Sequence, residues 1–332
     1  MIIHLPKNIS LDSAKQYAER IGALCLEKNE YFALITNHTV KQLPDYLSNI
    51  AIGYWIFPTD MQLSSRQYNP ETYRVDIGDT YIGGDGQNQL MIAGPCAIES
   101  REQIEQSCQM LIEKGIRVLR AGCYKPRTSP YTFRGLGEDG LKLLAEMREK
   151  YGLLIATEMR DATHADKVVE YADIVQVGAK AMYDHGLLTA AGQSGKPVIL
   201  KRGFGSTLQE LVNCADFIMS CGNNQVILCE RGIRSFETNT RFTLDLCGVA
   251  WLKQHCNLPI ILDPSHAMGY TYGIADLARA CTAMGIDGLL IETHPCPQCA
   301  QSDAPQQLNH QQFGEMYTSL KPIAHAVGKT LI

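Results

Sequence analysis

The segment LMIAGPC (residues 90–96) is a short apolar run of strand type, and it opens a regular pattern along the chain. Amphipathic segments of helical spacing separate this run from seven others like it. Eight strands alternating with helices over about 240 residues predict a (β/α)8 TIM barrel over residues 90–332. The other runs are RVLRAGC (117–123), LLIATEM (153–159), IVQVGAK (174–180), PVILKRG (197–203), VILCER (226–231), PIILDPSH (259–266) and GLLIETH (288–294).

The competing arrangement is an open, doubly wound parallel sheet. Such a sheet usually carries a glycine-rich phosphate turn after its first strand. The turn after the first apolar run, GPCAIESR (94–101), does not carry the pattern GxGxxG, which occurs only later, as GLGEDG (135–140) after the second run. The barrel is therefore the favoured fold.

The first 58 residues have a different pattern. MIIHL, ALCLEK, YFALITN and IGYWIF are of strand type, whereas residues 11–22 and 39–50 have helical spacing. The order β-α-β-β-α-β predicts a small ferredoxin-like α+β domain over residues 1–58. Residues 59–89 are polar and predict a connector that packs on the barrel, with a hairpin in VDIGDTYIGGDG (75–86).

The composition narrows the class of protein. The chain has 332 residues, a net charge of −5 and 45% apolar residues, which is typical of a globular protein and not of a disordered one. Its mild acidity argues against general nucleic-acid binding. No apolar run reaches about 18 residues, so we expect no membrane-spanning helix. The segment MIIHLPKNIS lacks a signal-peptide pattern and the 12 cysteines are scattered, which together predict reduced thiols and a cytoplasmic location.

Chemically active side chains follow every strand of the predicted barrel. In a TIM barrel the carboxyl ends of the strands carry the active site. A set of converging polar groups at that end indicates a ligand, because buried charges need partners. The residues are Cys96, Arg120 with Lys125, Glu158, Lys180, Lys201, Arg231, His266 and Glu292.

These residues divide into two sets. The side chains of the cationic set would repel one another without bound anions. This set therefore predicts phosphorylated or carboxylated substrates. Any one lysine could be a solvated surface charge, but its recurrence at strand ends favours binding. Cys96, His266, Glu292 and Asp303 suit a divalent ion such as Mn²⁺, Fe²⁺, Co²⁺ or Zn²⁺. A core cysteine with a capping histidine is the plainer alternative, and the placement at strand ends favours the metal. The cations are Arg120, Lys125, Arg127, Lys180, Lys201, Arg231 and Arg234.

Several long motifs resemble those of a known family. They are GPCAIES (94–100), LRAGCYKPRTSPYTFRGLGEDGL (119–141), LKRGF (200–204), ILCERGIRSFE (227–237), LDPSHAMG (262–269), and ETHP (292–295) with SD at 302–303. Together they resemble the type I beta group of 3-deoxy-D-arabino-heptulosonate-7-phosphate (DAHP) synthases over residues 90–332. The N-terminal unit resembles the ferredoxin-like regulatory domain of some members. KPRTSP distinguishes the family from its 3-deoxy-octulosonate 8-phosphate relatives, and the cysteine of GPC resembles metal-dependent members.

The resemblance implies a 3-deoxy-7-phosphoheptulonate synthase, a metal-dependent transferase. This enzyme condenses phosphoenolpyruvate with erythrose 4-phosphate and releases phosphate, the first step of the shikimate pathway to aromatic amino acids. Members are dimers or tetramers, and some bind an aromatic amino acid effector at the N-terminal domain.

The resemblance also implies roles for single residues. The metal ligands would be Cys96, His266, Glu292 and Asp303, with Mn²⁺ as the first choice of ion. Lys125, Glu158, Asp263 and His266 would be catalytic, with Lys125 as a proton donor of lowered pKa and Glu158 orienting a water molecule. Phosphoenolpyruvate would meet Arg120, Lys125, Lys180, Lys201 and Arg231, and the aldose phosphate would meet Arg127 and Thr128.

Three positions depart from the family pattern or add to it. Lys180 stands where most relatives carry arginine, so its bidentate fork is lost. Cys25 and Glu27 stand where a tyrosine-inhibited relative carries its effector contacts, so the same feedback is in doubt. Cys296 and Cys299 form a single CxxC, interpreted as an incidental loop pair with some redox sensitivity.

Two other functions stay open from the sequence. One is a related synthase that uses another phosphorylated aldose, such as arabinose 5-phosphate. The other is a non-catalytic barrel homologue, against which the complete metal set argues. The sequence leaves open the native metal, the effector and the number of subunits.

Overall fold

Eight parallel strands form a closed barrel in the computed structural model, which describes residues 1–125 and 131–332. The eighth strand pairs with the first in parallel, from Gly288 opposite Leu90 to Glu292 opposite Gly94. The predicted TIM barrel is thereby confirmed. Its strands are β7 (Asn88–Gly94), β8 (Val118–Arg120), β9 (Leu154–Met159), β10 (Ile174–Val177), β11 (Val198–Lys201), β12 (Val226–Glu230), β13 (Ile260–Leu262) and β14 (Gly288–Glu292).

Helices follow the barrel strands and cover the outside of the barrel. Their apolar faces contribute to one large buried cluster, which accounts for the amphipathic spacing seen in the sequence. In the described residues they are α2 (Arg101–Lys114), α3 (Glu138–Tyr151), α4 (Ala165–Tyr171), α5 (His185–Gln193), α6 (Leu208–Ser220), α7 (Leu246–His255), α8 (Pro264–Met268), α9 (Ile274–Ala283) and α10 (His310–Ala326).

The inside of the barrel is a separate apolar cluster that leaves only one end of the barrel available for chemistry. Every barrel strand contributes at least one buried side chain, such as Ile92 and Leu290. A hairpin of β5 (Arg74–Ile77) and β6 (Thr80–Gly83) adds Val75, Ile77 and Ile82 to the same cluster. The hairpin in the connector is confirmed, and it closes the amino-terminal end of the barrel. A short strand, β15 (Thr330–Leu331), pairs with β7 at this same end.

The N-terminal unit is a four-stranded antiparallel sheet with one α-helix in its described residues. Its strands are β1 (Ile2–Pro6), β2 (Leu24–Glu27), β3 (Tyr31–Ile35) and β4 (Gly53–Trp55), and its helix is α1 (Leu11–Arg20). The strand order is β2-β3-β1-β4. The prediction of a second helix over residues 39–50 was wrong, because the structure has only a 3₁₀ turn in this range, at Asp45–Leu47. Pro44 has no N–H and disfavours a helical residue before it, so the helix cannot extend across it. The ferredoxin-like assignment and the domain boundaries stay predictions.

Hydrogen bonds fasten the connector to the barrel. The backbone N–H groups of Gln62, Leu63 and Ser64 donate to the Asp216 carboxylate on α6, at 2.7 to 3.2 Å. Asn257 donates to the carbonyls of Leu63 and Ser65, each at 3.0 Å. Among the helices of the described residues, none combines the length and the apolar character that crossing a bilayer requires.

Candidate active site

A cavity of about 370 Å³ opens at the carboxyl ends of the barrel strands. This is the end that the sequence pattern indicated. Seven of the residues predicted from the sequence line this cavity, and Arg234 of the cationic set joins them. The seven are Lys125, Glu158, Lys180, Lys201, Arg231, His266 and Asp303.

The predicted metal ligands lie together at one side of this cavity. One potential ligand atom from each of Cys96, Glu292 and Asp303 lies within 4.8 Å of the others. The Nε2 atom of His266 is 3.5 Å from the Glu292 carboxylate. A thiol, an imidazole and two carboxylates are donors that suit a borderline divalent ion. The residues present therefore fit the metal that the sequence predicts.

Two glutamines that follow Asp303 hold this group in place. The side chain of Gln307 accepts from the backbone N–H of Cys96 at 2.9 Å and donates to the carbonyl of Ser302 at 2.8 Å. The neighbouring Gln306 donates to Glu292 at 2.6 Å. Asp303 itself has a φ of 50°, in the left-handed region that aspartate tolerates better than most residues.

Burial and neighbouring charges set the protonation of these ligands in opposite ways. Burial raises the pKa of the Cys96 thiol to about 12. Burial also opposes ionisation of Asp303, but the charges of His266 and Lys125 outweigh it and lower its pKa to about 2. The carboxylate is thus ready to bind a cation, whereas the thiol must lose its proton when a metal binds.

Two of the predicted cations are neutralised by carboxylates. Arg120 donates to Glu292 at 2.7 Å, and Lys201 donates to Asp263 at 2.6 Å. Each of the four side chains is at most 5% exposed, so these are buried ion pairs. They fix the geometry of the site and leave less positive charge for a ligand.

Arg231 is different because its charge is not matched by a hydrogen-bonded partner. Its side chain is buried, and its Nε and Nη1 atoms have no hydrogen-bond partner in the described part of the chain. Its guanidinium lies over the ring of Phe242, 4.5 Å from the centroid. Buried donors without partners are costly, and a bound anion would satisfy them.

Asp263 connects the cations with the metal site. Its Oδ1 accepts from the backbone N–H of His266 at 2.9 Å and caps α8. Its Oδ2 lies 2.6 Å from Lys201 Nζ and 2.7 Å from His266 Nδ1. Burial opposes the charge of Asp263, but His266 and Lys201 hold its pKa well below the usual range.

The pKa of Lys125 was predicted to be lowered, and this prediction was wrong. Burial and Arg120 lower its pKa, but Cys96, Glu158 and Glu292 together raise it above the ordinary value. Its ammonium group donates to the carbonyl of Cys96 at 3.0 Å. Lys125 is consequently a protonated donor in this site.

Glu158 lines the cavity at the end of β9. Its Oε2 accepts from Gln176 on the next strand at 2.7 Å. A Cβ atom at Gly178 would lie 2.3 Å from Glu158 Oε1, so glycine is needed there for the carboxylate to keep this position. Arg127 and Thr128 lie outside the described residues.

The sequence analysis missed several residues of this site. Phe204, Arg241 and Phe242 also line the cavity, and Arg202 forms buried ion pairs with Glu230 and Asp245 at 2.9 and 2.8 Å. Arg241 and Phe242 lie in the long connection between β12 and α7, away from any strand end. The weak signal for them was the length of this connection, since loops of this size in compact domains are often functional.

Cys296 and Cys299 are paired as a disulfide in the connection after β14. Within the described residues, the other ten cysteines are free thiols. The pair lies between Glu292 and Asp303 in the chain. Its redox role stays a prediction.

Comparisons with known proteins agree with this site. A family model described as the DAHP synthetase I family matches residues 63–327. Phospho-2-dehydro-3-deoxyheptonate aldolase of Thermotoga maritima is 45% identical over 267 residues, 80% of this chain and 78% of that protein. A 2-dehydro-3-deoxyphosphooctonate aldolase of Thiobacillus denitrificans is 32% identical, over 73% of this chain and 92% of that protein.

Solved structures agree as well. The crystal structure of the Thermotoga maritima enzyme, a DAHP synthase, matches with a TM-score of 0.81 at 38% identity and covers 100% of this chain and 99% of that one. A truncated form of the synthase from this organism has a TM-score of 0.76 at 41% identity and covers 82% of this chain and 100% of that one. The match thus includes the N-terminal unit as well as the barrel.

Proposed function

Because the chain belongs to the DAHP synthetase I family and is a 3-deoxy-7-phosphoheptulonate synthase, we propose that the cavity above β7–β14 binds phosphoenolpyruvate and erythrose 4-phosphate. The observation that carries this assignment is the buried side chain of Arg231, whose Nε and Nη1 atoms find no hydrogen-bond partner among the described residues, in the cavity that His266 and Asp303 also line. An anion-binding group next to a set of metal ligands is what this condensation requires.

We assign the proposed roles from the family resemblance, and the cavity position of the described side chains supports them. Arg231 and Lys180 bind the anionic groups of phosphoenolpyruvate. Arg120 and Lys201 contribute to the electrostatic potential around these groups. The enol carbon then attacks the aldehyde carbon, water adds at the carbon that bears the phosphate, and phosphate leaves. Lys125 donates a proton from its ammonium group to the oxygen of the former aldehyde, Glu158 orients the water, and the proton that the water loses returns to the Lys125 amine. Arg127 and Thr128 are proposed to bind the aldose phosphate.

Cys96, His266, Glu292 and Asp303 are proposed to hold a divalent metal, with Mn²⁺ as the first candidate. Such an ion supplies Lewis-acid polarisation of the aldehyde oxygen. Asp263 keeps His266 in place through its contacts with both the backbone and the ring of that residue. This support is typical of histidine ligands, whose second nitrogen faces a carboxylate or a carbonyl.

Replacement of Lys125 by methionine tests its proton role. We expect kcat to fall by about 100-fold, because general acid–base groups contribute ~10² to 10⁴. Steady-state kinetics with both substrates will separate kcat from KM. A near-normal kcat with only a raised KM for phosphoenolpyruvate would show that Lys125 binds substrate but does not transfer a proton.

Replacement of Lys180 by arginine tests the departure from the family pattern. We expect a KM for phosphoenolpyruvate lowered by a few fold, because arginine restores two parallel hydrogen bonds to one anion. The side chain is exposed at the cavity, so the larger head has room. An unchanged KM would show that the phosphate of the substrate does not reach this position.

The overall function is tested by phosphate release from phosphoenolpyruvate with a panel of phosphorylated aldoses. We expect turnover that needs both substrates, that a chelator abolishes and that added Mn²⁺ restores. Selectivity for erythrose 4-phosphate would support the proposed reaction. Arabinose 5-phosphate is included in the panel as the second candidate, because the chain is also similar to a 2-dehydro-3-deoxyphosphooctonate aldolase. Absence of turnover with every aldose would favour a non-catalytic homologue.

Regulation and assembly complete the proposal. We propose that the chain forms a dimer or tetramer and that the N-terminal unit binds an amino acid effector. Cys25 and Glu27 on β2 stand where a tyrosine-inhibited relative carries its effector contacts, so this chain would contact an effector through different side chains. The same assay with tyrosine and phenylalanine added will test this effect. We propose a cytoplasmic location, which is supported by ten free thiols, whereas the Cys296–Cys299 disulfide departs from the reduced thiols that the sequence predicted.

A further inference from the structure

Arg241 lines the cavity but does not lie at the end of a barrel strand, so the strand pattern did not predict it. It lines the same cavity as Arg231, His266 and Asp303. Its guanidinium lies 5.7 Å from the centroid of the Phe242 ring, and the guanidinium of Arg231 lies 4.5 Å from that same centroid. Two like charges on one aromatic ring repel each other, and an anion placed between them would remove this repulsion.

The backbone around Arg241 is held firmly against the metal side of the site. Its N–H donates to the carbonyl of Met268 at 3.1 Å, and the N–H of Phe242 donates to Ala267 at 2.9 Å. These carbonyls belong to α8, which also carries His266. Thr243 and Ile233 then exchange both of their backbone hydrogen bonds, each at 2.9 Å. Arg241 therefore extends from a fixed backbone, although it lies in a long connection.

The side-chain partner of Arg241 is neutral. Its Nη1 donates to Oε1 of Gln306 at 2.6 Å, and Nε2 of that glutamine donates to Glu292 at 2.6 Å. Gln306 is only 2% exposed. A glutamine fixes the guanidinium without cancelling its charge, unlike the carboxylates that neutralise Arg120 and Lys201. Arg241 thus has no ion-paired carboxylate in the described part of the chain, although its charge helps to lower the pKa of the nearby Asp303.

We propose that Arg241 is a further substrate-binding residue that receives an anionic group of phosphoenolpyruvate together with Arg231, and that Gln306 is the positioning residue that holds it. The amide of Gln306 is in contact with both Arg241 and the metal ligand Glu292. It consequently fixes the distance between the anion site and the metal site. The identity of the anion rests on the proposed function, whereas the geometry of the two arginines does not.

The test is equilibrium binding of phosphoenolpyruvate to the full-length, Mn²⁺-loaded enzyme by calorimetry. We expect Arg241→Gln to weaken binding by about tenfold or more, as for the loss of a charge-assisted hydrogen bond, and Arg241→Lys to restore part of it. The matched control is Arg101→Gln, an exposed arginine on α2 that pairs with Glu146 away from the cavity. The control should bind like the unmodified enzyme.

The role of Gln306 is tested by a double-mutant cycle. Gln306→Leu should weaken phosphoenolpyruvate binding less than Arg241→Gln does, and the double variant should bind like Arg241→Gln alone, because both changes remove one arrangement. Additive losses would overturn the positioning role. Thermal unfolding of each variant shows that the fold is retained.

Other ligands separate the remaining outcomes. Inorganic phosphate and pyruvate are titrated in parallel. Weaker binding of inorganic phosphate to Arg241→Gln would show that Arg241 contacts the phosphate of phosphoenolpyruvate, and weaker binding of pyruvate would show that it contacts the carboxylate. Wild-type affinity for phosphoenolpyruvate in Arg241→Gln, with a raised KM for the aldose, would overturn the assignment. Failure of the unmodified enzyme to bind phosphoenolpyruvate would instead contradict the proposed function, so the two failures are distinguishable.

Discussion

Replacing Cys96 by serine is expected to lower kcat/KM by about 1000-fold, or ~4 kcal/mol of transition-state stabilisation. The side chain is fully buried beside Glu292 and Asp303, so no water-exposed group can substitute for the lost ligand. Serine preserves the volume of the side chain, but its hydroxyl is a poorer donor for a borderline divalent ion than a thiolate. We expect the metal content of the purified variant to fall in parallel with activity.

Elemental analysis and activity with a series of added Mn²⁺ concentrations are the measurements. The matched control is Cys108→Ser, because Cys108 is equally buried but lies on α2 in the apolar cluster. That variant should keep its metal while losing some stability. A Cys96→Ser enzyme with full metal content and normal activity would show that the thiol is only a core residue, the alternative that the sequence left open.

The barrel was predictable because each of its strands is buried on both faces. Such strands appear in a sequence as short continuous apolar runs, for example IVQV on β10 and VILK on β11. The first functional group after each run then falls at the end of the barrel that binds ligands. This reasoning placed Lys201, Arg231 and His266 correctly, since each follows or ends such a run.

The remaining parts of the site depend on contacts between distant segments, which no local pattern reveals. Gln307 reaches Cys96 across more than 200 residues, and Arg241 reaches Gln306 across 65. The pKa of Lys125 illustrates the same difficulty. Its sequence neighbours suggest a crowd of cations, but the fold also surrounds it with Glu158 and Glu292 from two other strands.

Replacing Asp263 by asparagine is expected to lower the free energy of unfolding by about 3 kcal/mol, because it leaves the charge of Lys201 buried without its counter-ion. Lys201 is 3% exposed and its Nζ lies 2.6 Å from Asp263, so water cannot compensate for the loss. Asparagine is a good helix cap and can still accept from the backbone N–H of His266. The variant therefore removes the charge and keeps the start of α8, and urea unfolding will measure the difference.

A control variant and a double variant test whether this loss of stability comes from the buried ion pair. Asp276→Asn removes a carboxylate that is 78% exposed and pairs with Arg279 on α9, and its stability should change by less than ~0.5 kcal/mol. Adding Lys201→Met to Asp263→Asn removes the isolated charge, so we expect part of the lost stability to return while phosphoenolpyruvate binding stays weak. An Asp263→Asn enzyme as stable as the unmodified chain would mean that Lys201 moves out to solvent when its partner is removed. The ion pair would then serve only to aim the lysine at the substrate.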